Sequence, residues 1–172
     1  GVCSMYENIS GGMNTAVGQS SLLKNTCGWY NTGSGYNVLK CNTSGFENTA
    51  SGYRAMRAIT TGNYNVAIGS RALNSNTTAN RNVAIGYKAM MDSTTGHSNV
   101  AVGNNALENN TTGCYNTASG YNAGCTNSTG KHNTWSGYAA GKLNTTGCYN
   151  TASGYRSLIY NSTGKFNTAF GG

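Results

Sequence analysis

Asn65-Val66-Ala67-Ile68-Gly69 returns as Asn82-Val83-Ala84-Ile85-Gly86 and again as Asn99-Val100-Ala101-Val102-Gly103, each time after 17 residues. Extended outward, the step never changes. Asn occupies 14, 31, 48, 65, 82, 99, 116, 133, 150 and 167, and Gly follows each four residues later, from Gly18 to Gly171. A second glycine column runs from Gly11 to Gly164 and is broken only by Ala79. The 172-residue chain is therefore ten copies of one unit without insertion or deletion, Asn-[Thr/Val]-Ala-[Ser/Ile/Val]-Gly-Tyr-x-Ala-[Leu/Met]-x-x-Asn-Thr-Thr-Gly-x-Tyr. Unit positions are numbered below from 1, the leading Asn, to 17.

A fixed period is the signature of a repeat architecture. Seventeen residues are too few for a helix pair, which needs about 34. Two glycines, paired threonines and several asparagines per unit would each weaken a helix. The unit fits one coil of a parallel β-solenoid, read as two short strands and two turns. Asn-Thr-Thr-Gly forms one turn and Gly-Tyr the other. Each glycine column marks a corner needing positive φ or close backbone approach. The predicted fold is thus all-β, a single solenoid array over residues 1–172. Ten coils at about 4.8 Å per layer give a rod roughly 48 Å long.

Strand alternation assigns the faces. The Ala at position 3 points one way, and positions 2 and 4 point the other. Leu22, Leu39, Met56, Leu73, Met90, Leu107 and Leu158 fill position 9, where Gly124 and Gly141 interrupt. Small Ala against larger Leu or Met fills a narrow interior. Trp135 replaces Ala in the coils where those two glycines leave room, a large-for-small exchange. Tyr36, Tyr53, Tyr87, Tyr121, Tyr138 and Tyr155 make one aromatic column, and Tyr30, Tyr64, Tyr115, Tyr149 and Phe166 a sparser one.

Composition narrows the function class. Charged residues are 9% of the chain and proline is absent, against about a quarter charged in ordinary domains. Stacked like charges repel, so a layered rod favours uncharged polar side chains. The net charge of +7 suits anionic partners. No apolar run approaches the roughly 20 residues of a membrane span, so no membrane insertion is expected. The start at Gly1 reads as a processed product or an excerpt.

The Asn65–Gly69, Asn82–Gly86 and Asn99–Gly103 motifs resemble the head repeats of trimeric autotransporter adhesins. The variant with Asn-Thr-Ala-x-Gly-Tyr-x-Ala-Leu and Asn-Thr-Thr-Gly is also similar to repeats of bacterial surface proteins and phage tail fibres. The resemblance covers essentially the whole chain. It implies a left-handed parallel β-roll, extracellular or cell-surface location, adhesion to glycan or host matrix, and trimers with the Ile/Val face toward the threefold axis.

Several residue sets carry specific expectations. Val66, Ile68, Val83, Ile85, Val100 and Val102 replace Thr and Ser at positions 2 and 4 in three middle coils. They read either as a subunit interface, if exposed, or as a better packed core. Arg54, Arg71 and Lys88 share a position in consecutive coils and read as a grip for anionic glycan. The sequons at Asn8, Asn42, Asn76, Asn110, Asn127, Asn144 and Asn161 share position 12, with Asn109 one residue out of phase. They read as a row of glycans or as plain turn chemistry. Of six cysteines, Cys27 and Cys41 are the pairing read as a disulfide, with free thiols as the alternative. No Cys-x-x-Cys is present, the carboxylates fall at scattered positions, and His97 and His132 lack acidic partners. Neither metal nor cofactor nor catalysis is expected.

Gly1 and Gly171 share one repeat phase, which reads as an excerpt of a longer array or as subunits stacking head to tail. The leading expectation is a structural or adhesive extracellular fibre whose partner is itself, as filament or homotrimer, with glycans or matrix as further partners and no nucleic acid. Two alternatives are a glycan-binding module of a tail fibre and an ice-binding solenoid presenting the position-2 threonines.

Overall fold

The computed structural model describes residues 1–171 as a β-solenoid with one short strand per coil. The strands are β1 (Thr15–Val17), β2 (Thr32–Ser34), β3 (Thr49–Ser51), β4 (Val66–Ile68), β5 (Val83–Ile85), β6 (Val100–Val102), β7 (Thr117–Ser119), β8 (Thr134–Ser136), β9 (Thr151–Ser153) and β10 (Thr168–Phe170). They form one parallel sheet in chain order, each strand paired to the next. The register is one repeat: Thr49 pairs Val66, Ala50 pairs Ala67 and Ser51 pairs Ile68. Like therefore stacks on like all along the rod.

The second strand expected in each coil is absent. Inter-layer backbone bonds continue there, as in Leu22 N–H to the Val38 carbonyl (2.9 Å) and Lys24 N–H to the Lys40 carbonyl (3.0 Å). However, positions 7 and 9 are left-handed, which breaks the extended run. Position 17 is left-handed as well. In all, 28 residues other than glycine have positive φ, among them Leu39 at 49°, Met90 at 49° and Tyr115 at 60°. Such backbone costs roughly 1–2 kcal/mol per residue. It persists because stacking fixes both neighbouring layers.

The two glycine columns serve different needs. Position 5 runs at φ from 96° to 136°, a region closed to side chains, and a Cβ there would also meet the glycine carbonyl of the next layer. Position 15 has ordinary φ but the same close approach, which is the second of the two expected reasons.

The core is two facing columns. Ala50, Ala67, Ala84, Ala101 and Ala118 are buried against Leu39, Met56, Leu73, Met90 and Leu107, and the position-8 alanines fill between them. Trp135 is 1% exposed. A Cβ on either Gly124 or Gly141 would collide with its indole, so the exchange of Leu for Gly and Ala for Trp is the one the sequence implied.

Candidate functional site

Three polar ladders sew the layers together. The position-1 asparagines are buried from Asn31 to Asn150. Each Oδ1 accepts the backbone N–H of the Asn one layer on, unbroken from Asn31 onto Asn14 (2.8 Å) to Asn167 onto Asn150 (3.0 Å). Their Nδ2 groups donate to the position-15 carbonyl, as in Asn99 to Gly113 (2.9 Å). The position-13 hydroxyls make a second ladder, each donating to the next layer's carbonyl, from Thr26 onto Thr43 (3.0 Å) to Thr145 onto Ser162 (3.1 Å).

Position 12 makes the third, and it corrects the glycan reading. Asn42, Asn76, Asn110, Asn127 and Asn144 are 0% exposed. Asn42 Nδ2 donates to Asn25 Oδ1 (2.7 Å) and to the Gly45 carbonyl (3.0 Å), and Asn144 Nδ2 donates to Asn127 Oδ1 (2.8 Å). A glycan on these amides has no room in the folded coil. Of the seven, only Asn8 is exposed and Asn161 half-buried, at the two terminal layers. The off-phase Asn109 is exposed. This ladder stops where Ile59 and Ser93 stand at position 12. There Asn42 Oδ1, Asn76 Nδ2 and Ser93 Oγ are buried without partners.

The disulfide reading is also corrected: all six cysteines are free. Cys27 lies at position 14, where its N–H bonds the Thr43 carbonyl, and Cys41 at position 11, where its N–H bonds the Arg57 carbonyl. Burial, and next the Glu108 carboxylate, push the Cys125 thiol up from 9.0 to about 11.

Positions 2 and 4 face outward on every strand. Ile68 is 44%, Ile85 38%, Val100 38% and Val102 39% exposed, with Val66 and Val83 half-buried. These six side chains are an apolar patch on the flat sheet, flanked along the rod by Thr and Ser. They are not core, which settles the two structural readings of that set in favour of exposure. The position-2 threonines share this face and are interrupted by the three valines.

All twelve tyrosines are exposed. Their rings stack in layers: Tyr36 on Tyr53 (5.5 Å), and Tyr121 on Tyr138 on Tyr155 (5.3 and 5.2 Å). In the sparser column His132 completes a run that was not read from sequence, between Tyr115 (4.9 Å) and Tyr149 (4.8 Å), with Phe166 next (5.1 Å). Equal spacing was visible there, but an imidazole was not counted as a ring of the same ladder.

Arg54, Arg71 and Lys88 stand one layer apart at left-handed position 7. Arg54 lies over Tyr53 (5.0 Å) and Lys88 over Tyr87 (5.5 Å). Lys88 also reaches Glu108, at position 10 of the next layer, 3.5 Å away. Positions 7 and 10 are thus neighbouring columns, and position 10 adds Lys40 and Arg57.

Among the described residues no pocket opens and no His, Cys, Asp and Glu group is placed to hold a metal. No helix is long and apolar enough to cross a membrane. Comparison with known proteins supplies no relative: no family model, curated protein or solved structure matches the chain.

Proposed function

We propose that this chain is the structural unit of an extracellular or surface fibre, formed when its coils stack on coils of further copies. The observation that carries the reading is the identity of the layer-to-layer contacts. The same Asn bonds join every neighbouring pair, and Thr or Ser hydroxyls join all but the first. A layer's exposed edge therefore offers a second copy the donors and acceptors that it offers its own chain. The proposed role is mechanical, and no reaction is assigned to it.

The test is sedimentation velocity of the purified chain over a range of concentrations. The reading expects growing rods. It also expects Ile9→Lys with Phe170→Lys to stop growth, by placing charge on both terminal faces while leaving the inner coils intact. A parent that stays monomeric at every concentration contradicts it.

A second, lateral contact is supported by the exposed Val/Ile patch on β4–β6, since apolar patches on otherwise polar surfaces mark interfaces. In the resembled adhesins that face meets the threefold axis. Ile68→Ser with Ile85→Ser, residues that positions 2 and 4 carry elsewhere in this chain, removes the patch. A loss of lateral pairing with axial growth retained is the expected outcome.

A further inference from the structure

Charge is distributed unevenly around the rod. The chain has 11 Lys and Arg against 4 Asp and Glu. Seven of those cations stand in the two neighbouring columns at positions 7 and 10: Lys40, Arg54, Arg57, Arg71, Lys88, Lys142 and Arg156. The single acid in the same columns is Glu108, which reaches Lys88. Lys40, Arg54, Arg57 and Arg71 occupy three consecutive layers and make no ion pair among the described residues. The buried Nε atoms of Arg54 and Arg57 have no partner within the chain.

The backbone makes this placement costly. Position 7 is left-handed in every coil, with φ of 57° at Arg54 and 60° at Arg71. Asn adopts that conformation more readily than a long side chain. Asn37, Asn105 and Asn122 occupy the same position in other coils. Cations therefore stand where this chain elsewhere uses the residue the backbone prefers. Backbone preference does not account for the choice; ring contacts hold Arg54 and Lys88 locally, whereas an anionic partner accounts for the whole set.

We infer that the position-7 and position-10 columns over residues 40–71 bind a linear polyanionic polysaccharide, sulfated or uronate, laid along the rod axis. The cations form straight rows stepping by one layer, about 4.8 Å, which matches a stiff chain with charge at regular intervals. The neighbouring rings favour glycan over single-stranded nucleic acid. Base recognition needs open aromatic faces, but the Tyr53 ring is stacked on Tyr36 and overlaid by Arg54. This inference goes beyond the fibre reading and does not depend on axial growth, because the columns lie on the flank of a single copy.

The test measures heparin binding by the full chain against ionic strength, with neutral dextran and with single-stranded and duplex DNA as comparators. One variant carries Lys40→Asn, Arg54→Asn, Arg57→Asn and Arg71→Asn, all residues that these columns already use at Asn37 and Asn74. A control carries Lys24→Asn, Arg81→Ser, Lys131→Asn and Lys165→Asn, again residues native to their columns. Each lowers the net charge from +7 by four, to +3. Heparin affinity is expected to fall by about thirtyfold or more in the first, on the scale of four exposed ion pairs lost together. Its salt slope is expected to drop by about one per cation. The control should retain tight binding. Equal losses in both variants, no loss in the first, or tighter binding of DNA than of heparin would overturn the inference. Should the first variant not fold, protection of Arg54, Arg57 and Arg71 from phenylglyoxal by heparin on the unmodified chain decides the matter: protection supports the site, and equal labelling rejects it.

Discussion

Two columns of buried asparagine run along the same rod, and they differ in tolerance. Position 1 is Asn in all ten repeats, whereas position 12 admits Ile59 and Ser93. The difference follows from what each amide holds. At position 1 the Oδ1 accepts a backbone N–H of the next layer and the Nδ2 satisfies a carbonyl, so the side chain closes the main-chain network itself. At position 12 the inter-layer bond joins side chain to side chain, as in Asn127 onto Asn110. Losing one rung there orphans side-chain atoms, as Asn42, Asn76 and Ser93 show, while the position-15 carbonyl keeps its donor from position 1. A repeat protein can thus vary a ladder made of side chains more freely than one that completes its backbone.

The contrast can be broken most directly by Asn99→Ala. It orphans the buried Asn116 N–H, at about 1–3 kcal/mol, and removes one of the two donors to the Gly113 carbonyl, which keeps Asn110 Nδ2. Urea unfolding should show a loss of about 2 kcal/mol or more. Asn127→Ala in the other column should cost about half as much by the same measurement. A reversed order would undo the comparison.

Trp135→Ala probes a different kind of interruption, one of volume. A cost of about 3–5 kcal/mol is expected. Restoring Leu at Gly124 and Gly141, whose φ of 56° and 58° match the left-handed leucines of other coils, should recover much of it. Lack of recovery would show that the exchange is not a matter of packing alone.

Ile59→Asn sharpens the comparison from the opposite side. A buried Ile→Asn change ordinarily ranks among the severe ones. Here it supplies a donor to Asn42 Oδ1 and an acceptor to Asn76 Nδ2, so the melting midpoint should stay within the equivalent of about 1 kcal/mol of the parent. A collapse of stability would mean that position 12 is not a continuous ladder.

The smallest effect is with pH. The Cys125 thiol sits at about 11 in the fold against 9.0 unfolded. The unfolded chain therefore ionises first, and this group's contribution to stability is whole below 9.0 and fades as pH rises toward 11. In alkylation kinetics at pH 8, exposed Cys27 should react well before Cys125.

Much of the fold was legible because the period was unbroken. Register, the Ala and Leu/Met core and the Trp135 exchange all follow from alternation and spacing, whereas the direction of positions 2 and 4 stays open between interface and core until the coil is seen. Three further things did not follow. Left-handed Leu39, Met90 and Arg71 run against local preference, so only the stacked layers impose them. The inward turn of the position-12 amides was hidden because Asn-Thr-Thr-Gly reads as a surface turn, while its Asn is held by the coils above and below. The neighbourhood of positions 7 and 10 depends on how the corner folds, and so the basic strip first appeared as three residues rather than two columns.

The central claim is that one layer serves another copy as it serves its own chain. Cryo-electron microscopy of the purified chain tests it most directly. The account predicts long rods whose layer spacing, near 4.8 Å, runs unbroken across the joints between copies. Discrete particles one chain long, with terminal layers unpaired, would contradict it.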